Sequence, residues 1–409
     1  MEDLRRRLQR LGITTGREFT PRPRADQRGP DIDALLDGEV LEAEHGTCYR
    51  VARIFDPQTR HGSEPLGEWL ARDAGVIAGL SGDARMPSDL HHFVFLDTET
   101  TGLGGGALAF LVGVGYFNSA DEFEVHQYFL RDPAEEAAML ALLQQLLQPG
   151  AALVTFNGRA FDVPLLAGRY VLSRQRSHVA SLPNLDLLQP ARRLWRRRLQ
   201  SCALGSLESN VLGVRRTGAD VPGYLIPALY RRYLETRDAR EMVRVLYHNE
   251  VDLLSMVALG ALLGRAFEQP AGAALHVEDR LSLAQWYGSR GAIANSEAAY
   301  RAAADEAPDE QSRYDALVGL AHLLKRAGRH DEALPLWADV ADLKLDTLGH
   351  QELAKHHEWH TRDLDQALLW TERGIQLAES WRPGWRRTDA LRDLLHRRER
   401  LLRKLSRTE

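Results

Sequence analysis

Hydrophobic positions are arranged in two ways along the chain. HFVFLD (residues 92–97) is a short apolar run ending in an acid, the pattern of a buried strand. TGLGGG (101–106) reads as a turn, and ALAFLVGVGYF (107–117) as a second strand whose glycines suggest bends or close backbone approach. Phe123–Leu130 alternates and predicts a third strand, so three successive strands imply a meander. DPAEEAAMLALLQQLLQPG (132–150) predicts an amphipathic helix, with Asp132 as its cap, Glu135 and Glu136 in its first turn and Pro149-Gly150 as its stop. ALVTFN (152–157) predicts a fourth strand, followed by a helix from about Phe161. Asn184–Leu188 reads as a fifth short strand, and helices continue to about Phe267. Strands first, then strands alternating with helices, predict an α/β fold with a mixed sheet flanked by helices.

The two ends differ from this centre. RPRADQRGPD (22–31) reads as a polar linker, and Val40–Phe55 alternates weakly enough for one or two strands. His61, His91 and His92 have no partners at metal-ligand spacing and are read as structural or surface residues. Beyond Gln269-Pro270-Ala271-Gly272, a linker by composition, the pattern is helical throughout. Ala299, Ala333 and Ala367 follow one another at 34 residues, each before an apolar or aromatic residue, and HDEALPLW and DLDQALLW share a local shape. LVGLAHLLKRAGR (317–329) is a small-residue helix ending at a glycine turn. This period resembles tetratricopeptide repeats; an irregular helical bundle with alanines aligned by chance is the alternative.

Composition narrows the class. At 409 residues, two or three domains are expected, and the 44% hydrophobic fraction is ordinary for a soluble protein. No apolar run reaches the roughly 20 residues needed to cross a bilayer, so no membrane association is expected. MEDLRRRLQR lacks the apolar core of a secretory signal. Only two cysteines occur, Cys48 and Cys202, so a disulfide framework is not expected and a reducing cytoplasm is the expected location. The net charge of −5 argues against wholesale non-specific nucleic-acid binding. Locally, nine arginines fall between Arg159 and Arg198 against only Asp162 and Asp186. Arg159, Arg192, Arg193, Arg196 and Arg197 are therefore candidates for contact with phosphate, with a solvated helix face as the alternative for the 192–198 run.

The chemistry-bearing residues are acids. Asp97 and Glu99, two apart on a strand, project to one face, where two bare carboxylates repel unless a cation lies between them. Such a pair alone is more often two solvated acids. Two further segments change the balance. NGRAFD (157–162) follows the fourth strand and delivers Asp162 near the same sheet edge. YHNEVD (247–252) lies in a helical pattern, where His248 and Asp252, four apart, share a face. On a regular helix His248 lies about 40° from Asp252 and Tyr247 about 140°.

FLDTETTG, NGRAFDVPLL and the helical Asp252 together resemble the motifs of the DEDD superfamily of ribonuclease-H-like exonucleases. LDLLQPARRLW, CALGSLESNVLGV, DVPGYLIPALY and HNEVDLLSM are similar to its YprB-type branch, which carries tetratricopeptide-like repeats after the nuclease domain. The resemblance implies a ribonuclease-H-like domain at 91–268, preceded by an N-terminal extension at 1–90 and followed by helical repeats at 275–405. It implies a metal-dependent 3′–5′ exonuclease using two Mg²⁺ or Mn²⁺ ions, about 3.5–4 Å apart, in the manner of two-metal phosphodiester hydrolysis. Asp97, Glu99, Asp162 and Asp252 would be the metal ligands, and His248 the general base. The familiar branches carry histidine five residues, or tyrosine four residues, before the last aspartate. Here histidine stands at the tyrosine spacing and Tyr247 at the histidine spacing. Asp186 and Glu208 are read as structural or capping acids, and Phe161 and Leu103 could pack against a terminal base. DNA, in repair beside a helicase bound through the repeats, is the substrate the resemblance favours; an RNA-processing exonuclease or an inactive scaffold are the alternatives.

Overall fold

A computed structural model describes residues 29–102, 106–270, 272 and 275–407; residues 1–28 and Leu103 lie outside the described residues. The described chain divides into two compact units. The first comprises the described residues up to Ala74, then Gly82–Asp186 and Glu208–Leu259; the second comprises Gly75–Ser81, Leu187–Leu207 and residues from Gly260 onward. Both units are discontinuous in sequence.

The first unit is built on a seven-stranded sheet. Its strands are β1 (Glu39–Ala43), β2 (Gly46–Phe55), β5 (Phe93–Thr100), β6 (Ala109–Phe117), β7 (Phe123–Phe129), β8 (Ala152–Thr155) and β9 (Asn184–Asp186). A separate small ladder pairs β3 (Arg60–His61) with β4 (Glu64–Pro65). The large sheet runs in the order β1-β2-β7-β6-β5-β8-β9. β5, β6 and β7 form the expected meander, and β8 and β9 add on parallel to β5. The weakly alternating segment near residue 50 extends the antiparallel side, because β2 pairs with β7 along its length. Its alternation is weak because Cys48 and Tyr49 are both buried while Ala52, Arg53 and Ile54 are all exposed.

β5 shows why the sheet holds its acids where it does. Phe93, Val94, Phe95 and Leu96 are all buried, so both faces of the strand are covered until it reaches Asp97. Trp69 stands edge-on against Phe93 and Phe95, with ring centroids 5.5 and 5.1 Å away. A second apolar cluster joins Val94 and Leu96 to residues of helices α2 (Glu136–Leu146) and α3 (Asp162–Leu172). Full burial of each such side chain contributes roughly 1.5–3 kcal/mol. Asp132 caps the turn before α2 by accepting from the Ala134 amide at 3.0 Å. Further along the chain, α6 (Ile226–Thr236) stacks Tyr230 on Phe110 at 3.9 Å, and the Tyr230 hydroxyl donates to the Leu130 carbonyl. Helix α7 (Arg240–Glu268) carries the last acidic motif.

The second unit is helical. It contains α1 (Ala74–Ser81), α4 (Leu188–Trp195) and α5 (Leu204–Leu207). After α7 come α8 (Val277–Ser289), α9 (Ile293–Asp305), α10 (Glu310–Arg326), α11 (His330–Leu343), α12 (Leu348–His356), α13 (Leu364–Ser380) and α14 (Trp385–Leu405). Ala299, Ala333 and Ala367 are all buried, one on each of α9, α11 and α13. No helix among the described residues is long and apolar enough to cross a membrane.

Candidate active site

The alternation of β5 puts Asp97 and Glu99 on the face shared by Phe93 and Phe95. Asp97 pairs in register with Gly113 on β6, and Gly113 with Gln127 on β7. Over this transverse row lies Asn249 of α7. Its side-chain amide donates to Asp97 Oδ2 at 2.7 Å, while Gln127 Nε2 donates to Asn249 Oδ1 at 2.9 Å and to the Leu246 carbonyl at 2.7 Å. Gly113 makes room for this bridge: a Cβ there would sit 2.1 Å from Asn249 Oδ1.

One residue earlier on α7, His248 faces the acids. Its Nε2 is 3.7 Å from Asp252 Oδ2 and 3.8 Å from Glu99 Oε1. Tyr247 points elsewhere, its hydroxyl 3.3 Å from Thr217 Oγ1. His248 Nδ1 lies 2.7 Å from Asp220 Oδ1 and 2.9 Å from Arg216 Nη1. Asp220 can only accept from that nitrogen and Arg216 can only donate to it; with the proton on Nδ1 toward Asp220, the Nε2 lone pair faces Glu99 and Asp252.

Asp162 enters differently. It opens α3, and its carboxylate accepts from Thr98, which points to the opposite face of β5 from Asp97 and Glu99. The turn before it is fixed by Asp186 on β9, which accepts from the Asn157 and Arg159 amides at 2.8 and 3.2 Å. Gly158 is required there, because a Cβ would lie 2.5 Å from Thr155 Cβ and 2.8 Å from Asp162 Oδ2. A cavity of about 490 Å³ opens beside this end of β5, lined in part by Thr98, Phe161, Asp162, Pro164 and Arg169, with Phe161 half exposed.

The electrostatics of the cluster are one-sided. Burial, then the charges of Asp252 and Asp162, hold the Asp97 carboxyl well above the usual range. Burial and the charges of Asp97, Asp252 and Asp162 do the same to Glu99. Burial raises Asp162 to about 6, opposed by the Thr98 hydrogen bond, and burial also raises Asp252 against the pull of His248 and Arg216. Arg216 is the cation within reach. It forms an ion pair with Asp252 and a bidentate pair with buried Glu208 at 2.6 and 2.7 Å. Glu208 also accepts from Ser255 at 2.8 Å, and His61 Nε2 lies 2.8 Å from the same hydroxyl.

Among the described residues no three carboxylate or imidazole groups already form a closed ligand set. The donor chemistry nonetheless fits a hard divalent cation: part-buried carboxylate oxygens that raise one another's proton affinity, with, among the described residues, one guanidinium in contact.

The structure thus brings together Asp97, Glu99, Asp252 and His248, with Asp162 held at the strand end. Asn249, Gln127, Arg216 and Asp220 escaped the sequence reading because nothing in their spacing marks them. The glycines of the second strand were a partial signal, since they announced a close backbone approach without naming what approaches. Arg159 donates from Nη2 to the Asn184 carbonyl at 2.6 Å. The run at 192–198 belongs to the helical unit. There Arg197 is ion-paired with Glu278 and Asp315, and Arg193 lies 5.1 Å from the Trp286 ring centroid.

Residues 94–263 match the model of the RNase H superfamily. The chain is also 34% identical over 298 residues to the uncharacterized protein YprB of Bacillus subtilis (strain 168), covering 70% of this chain and 69% of that protein. The chain belongs to the YprB family, within the RNase H superfamily. In this YprB-family chain the matched span runs from β5, which carries Asp97 and Glu99, through the Asp252 turn of α7. RNase H superfamily membership supports a nuclease function and, with it, nucleic acid as a ligand.

His61 yields a prediction about pH. Burial holds its imidazole down to about 4 from 6.5. Between those values the unfolded chain binds more protons, so stability is lost as pH falls from about 6.5 to about 4, by up to about 3 kcal/mol. Asp162 has the opposite sign: its raised carboxyl favours the folded state at low pH and loses that contribution as pH rises through about 6. Urea midpoints at pH 7 and pH 5 separate the two, because His61→Gln removes only the first. The expected result is a smaller loss of stability at pH 5 in His61→Gln than in the wild type, and an equal loss contradicts it.

Proposed function

We propose that this YprB-family chain is a divalent-cation-dependent 3′–5′ exonuclease, acting on DNA in preference to RNA in the reducing cytoplasm. The observation that carries the reading is the part-buried, mutually repelling set of Asp97, Glu99, Asp162 and Asp252 beside the His248 imidazole. These four carboxylates would hold two Mg²⁺ or Mn²⁺ ions. Bound there, the cations would supply charge stabilisation to the phosphodiester undergoing hydrolysis and lower the proton affinity of a water.

The remaining steps fall to the chain. His248 Nε2 takes the proton from the attacking water, a role suited to an imidazole whose other nitrogen is anchored. Asp220 keeps that anchor and fixes the tautomer. Asn249, tied to Gln127, holds the Asp97 carboxylate in one rotamer. Arg216 offsets part of the charge on Asp252 and ties it to Glu208. The cavity beside Phe161 receives the terminal nucleoside, with the ring packed on its base. In the helical unit, the buried alanines on α9, α11 and α13 support tetratricopeptide-like pairing of helices, a surface for a protein partner such as a helicase.

The test is nucleotide release from end-labelled linear strands and from internally labelled circular single strands, with Mg²⁺, with Mn²⁺ or with chelator. Wild type should degrade linear DNA from its 3′ end, leave circles intact and stop on chelation. Asp252→Asn should be inactive, and His248→Gln slower by about 10²–10⁴-fold. Cleavage of circles would make it an endonuclease, and no release from any strand with either cation would sink the catalytic reading.

A further inference from the structure

The helical unit holds a concentration of positive charge that the carboxylate site does not use. Helix α14, WRRTDALRDLLHRRERLLRKL, carries eight arginines and lysines against three acids. Its Arg397 and Arg400 join Lys325 of α10 and Lys355 of α12 in lining a cavity of about 470 Å³. A second cavity, of about 460 Å³, shares Lys355, Arg397 and Arg400 with the first and adds Arg392 and its partner Asp393. The cationic lining is therefore continuous over two adjoining recesses, the shape for an extended polyanion rather than a single small anion.

The acids in contact do not balance this charge. Glu358 is buried and pairs with Arg397, Arg400 and Lys404. Glu352 is buried and pairs with Lys325 and Lys355. Arg392 pairs with Asp389 and Asp393, so among the described residues the five lining cations Lys325, Lys355, Arg392, Arg397 and Arg400 outnumber by one the four carboxylates they contact. Burial and the neighbouring Arg400 pull the Arg397 guanidinium below its ordinary value, against the pull of Glu358, a cost that a bound anion would offset.

The recess also has flat aromatic walls. A π-helical turn, His357–Thr361, continues α12 and turns Trp359 outward, leaving it 60% exposed. Such widened turns recur where a helix presents side chains for function. Lys404 Nζ lies 4.2 Å from the Trp359 ring centroid. The rings of His330 and His360 lie 4.3 Å apart, and those of His356 and His360 5.4 Å apart. An acidic peptide would use the cations but has no need of exposed ring faces. Nucleic acid with unpaired bases uses both, since each base can stack on an aromatic surface while its phosphate meets a cation.

We propose that this groove between α10, α12 and α14 binds single-stranded nucleic acid, with phosphates on Lys355, Arg392, Arg397 and Arg400 and a base on Trp359. The binding is independent of hydrolysis and uses none of the nuclease carboxylates.

The full chain is tested by fluorescence anisotropy with labelled single-stranded DNA and RNA oligonucleotides in chelator, so that affinity is read without cleavage. Trp359→Ala should weaken binding about tenfold, and Trp359→Tyr, which restores a ring, should recover most of it. Lys355→Gln and Arg392→Gln should each lower the slope of log affinity against log salt by about one. Unfolding midpoints of the exposed-residue variants Trp359→Ala and Arg392→Gln should match the wild type. Wild-type affinity in all these variants overturns the proposal, as does absence of oligonucleotide binding by the wild type. So does a labelled poly-glutamate peptide that binds more tightly than the oligonucleotides and loses affinity in Trp359→Ala, which would assign the groove to an acidic protein segment. Binding that persists while nuclease activity is absent leaves the groove standing and removes only the catalytic reading.

Discussion

Asp97→Asn is expected to abolish cation-dependent nucleotide release while raising the unfolding temperature of the cation-free protein. The substitution preserves shape and an oxygen to accept the Asn249 hydrogen bond, but deletes one of the crowded negative charges. Without a cation that charge is a burden, because burial and the neighbouring Asp252 and Asp162 all disfavour it. With cations and substrate present, the same charge becomes a ligand. Loss of several kcal/mol of charge stabilisation corresponds to a fall of about 10³-fold or more in rate. Differential scanning calorimetry in chelator should show the variant a few degrees higher than the wild type. Added Mn²⁺ should raise the wild-type midpoint more than the variant's. Retained activity, or a lower midpoint in chelator, would contradict the account of Asp97. The opposite movement of stability and activity separates a functional acid from a structural one, whose loss lowers both.

Gly113→Ala is expected to damage both stability and rate, although Gly113 has no side chain to do chemistry. The added methyl would lie 2.1 Å from Asn249 Oδ1 and 2.8 Å from Asn249 Cγ. Asn249 is fully buried and bound on both sides, by Gln127 and by Asp97, so it cannot yield without breaking one of those bonds. Overpacking of this kind costs about 1–3 kcal/mol. Displacing the group that orients a ligand lowers activity by about 10–100-fold. A double-mutant cycle identifies the cause. Gly113→Ala combined with Asn249→Ala should cost less stability than the sum of the two single changes, because the methyl then fills space the amide has left. Strict additivity would place the damage elsewhere in β6.

Much of the architecture is legible in local patterns. The apolar run at 93–96 predicts β5, and the two-residue period of a strand puts Asp97 and Glu99 on one face. The helical period likewise puts His248 rather than Tyr247 on the Asp252 side, and the 3.7 Å between His248 Nε2 and Asp252 Oδ2 follows from it, while Tyr247 reaches Thr217. The glycines of 107–117 announced a close approach within β6. Less legible was the antiparallel edge formed by β1 and β2, since burial along β2 does not alternate: Cys48 and Tyr49 are both buried, while Ala52, Arg53 and Ile54 are all exposed.

The sequence by itself determined which side chains share a face, because backbone period is a local property set by steric limits on each residue. Only the tertiary structure decided what those faces meet. Gln127 and Asn249 are 122 residues apart, yet together they hold Asp97 across Gly113. His61 and Ser255 are 194 residues apart, and Ser255 reaches Glu208, which pairs with Arg216 and through it touches Asp252. The acidic motif of β5 was readable because its residues are neighbours along one strand. The network that supports it was not, because its hydrogen bonds depend on sheet order and helix docking, and no spacing along the chain encodes either one.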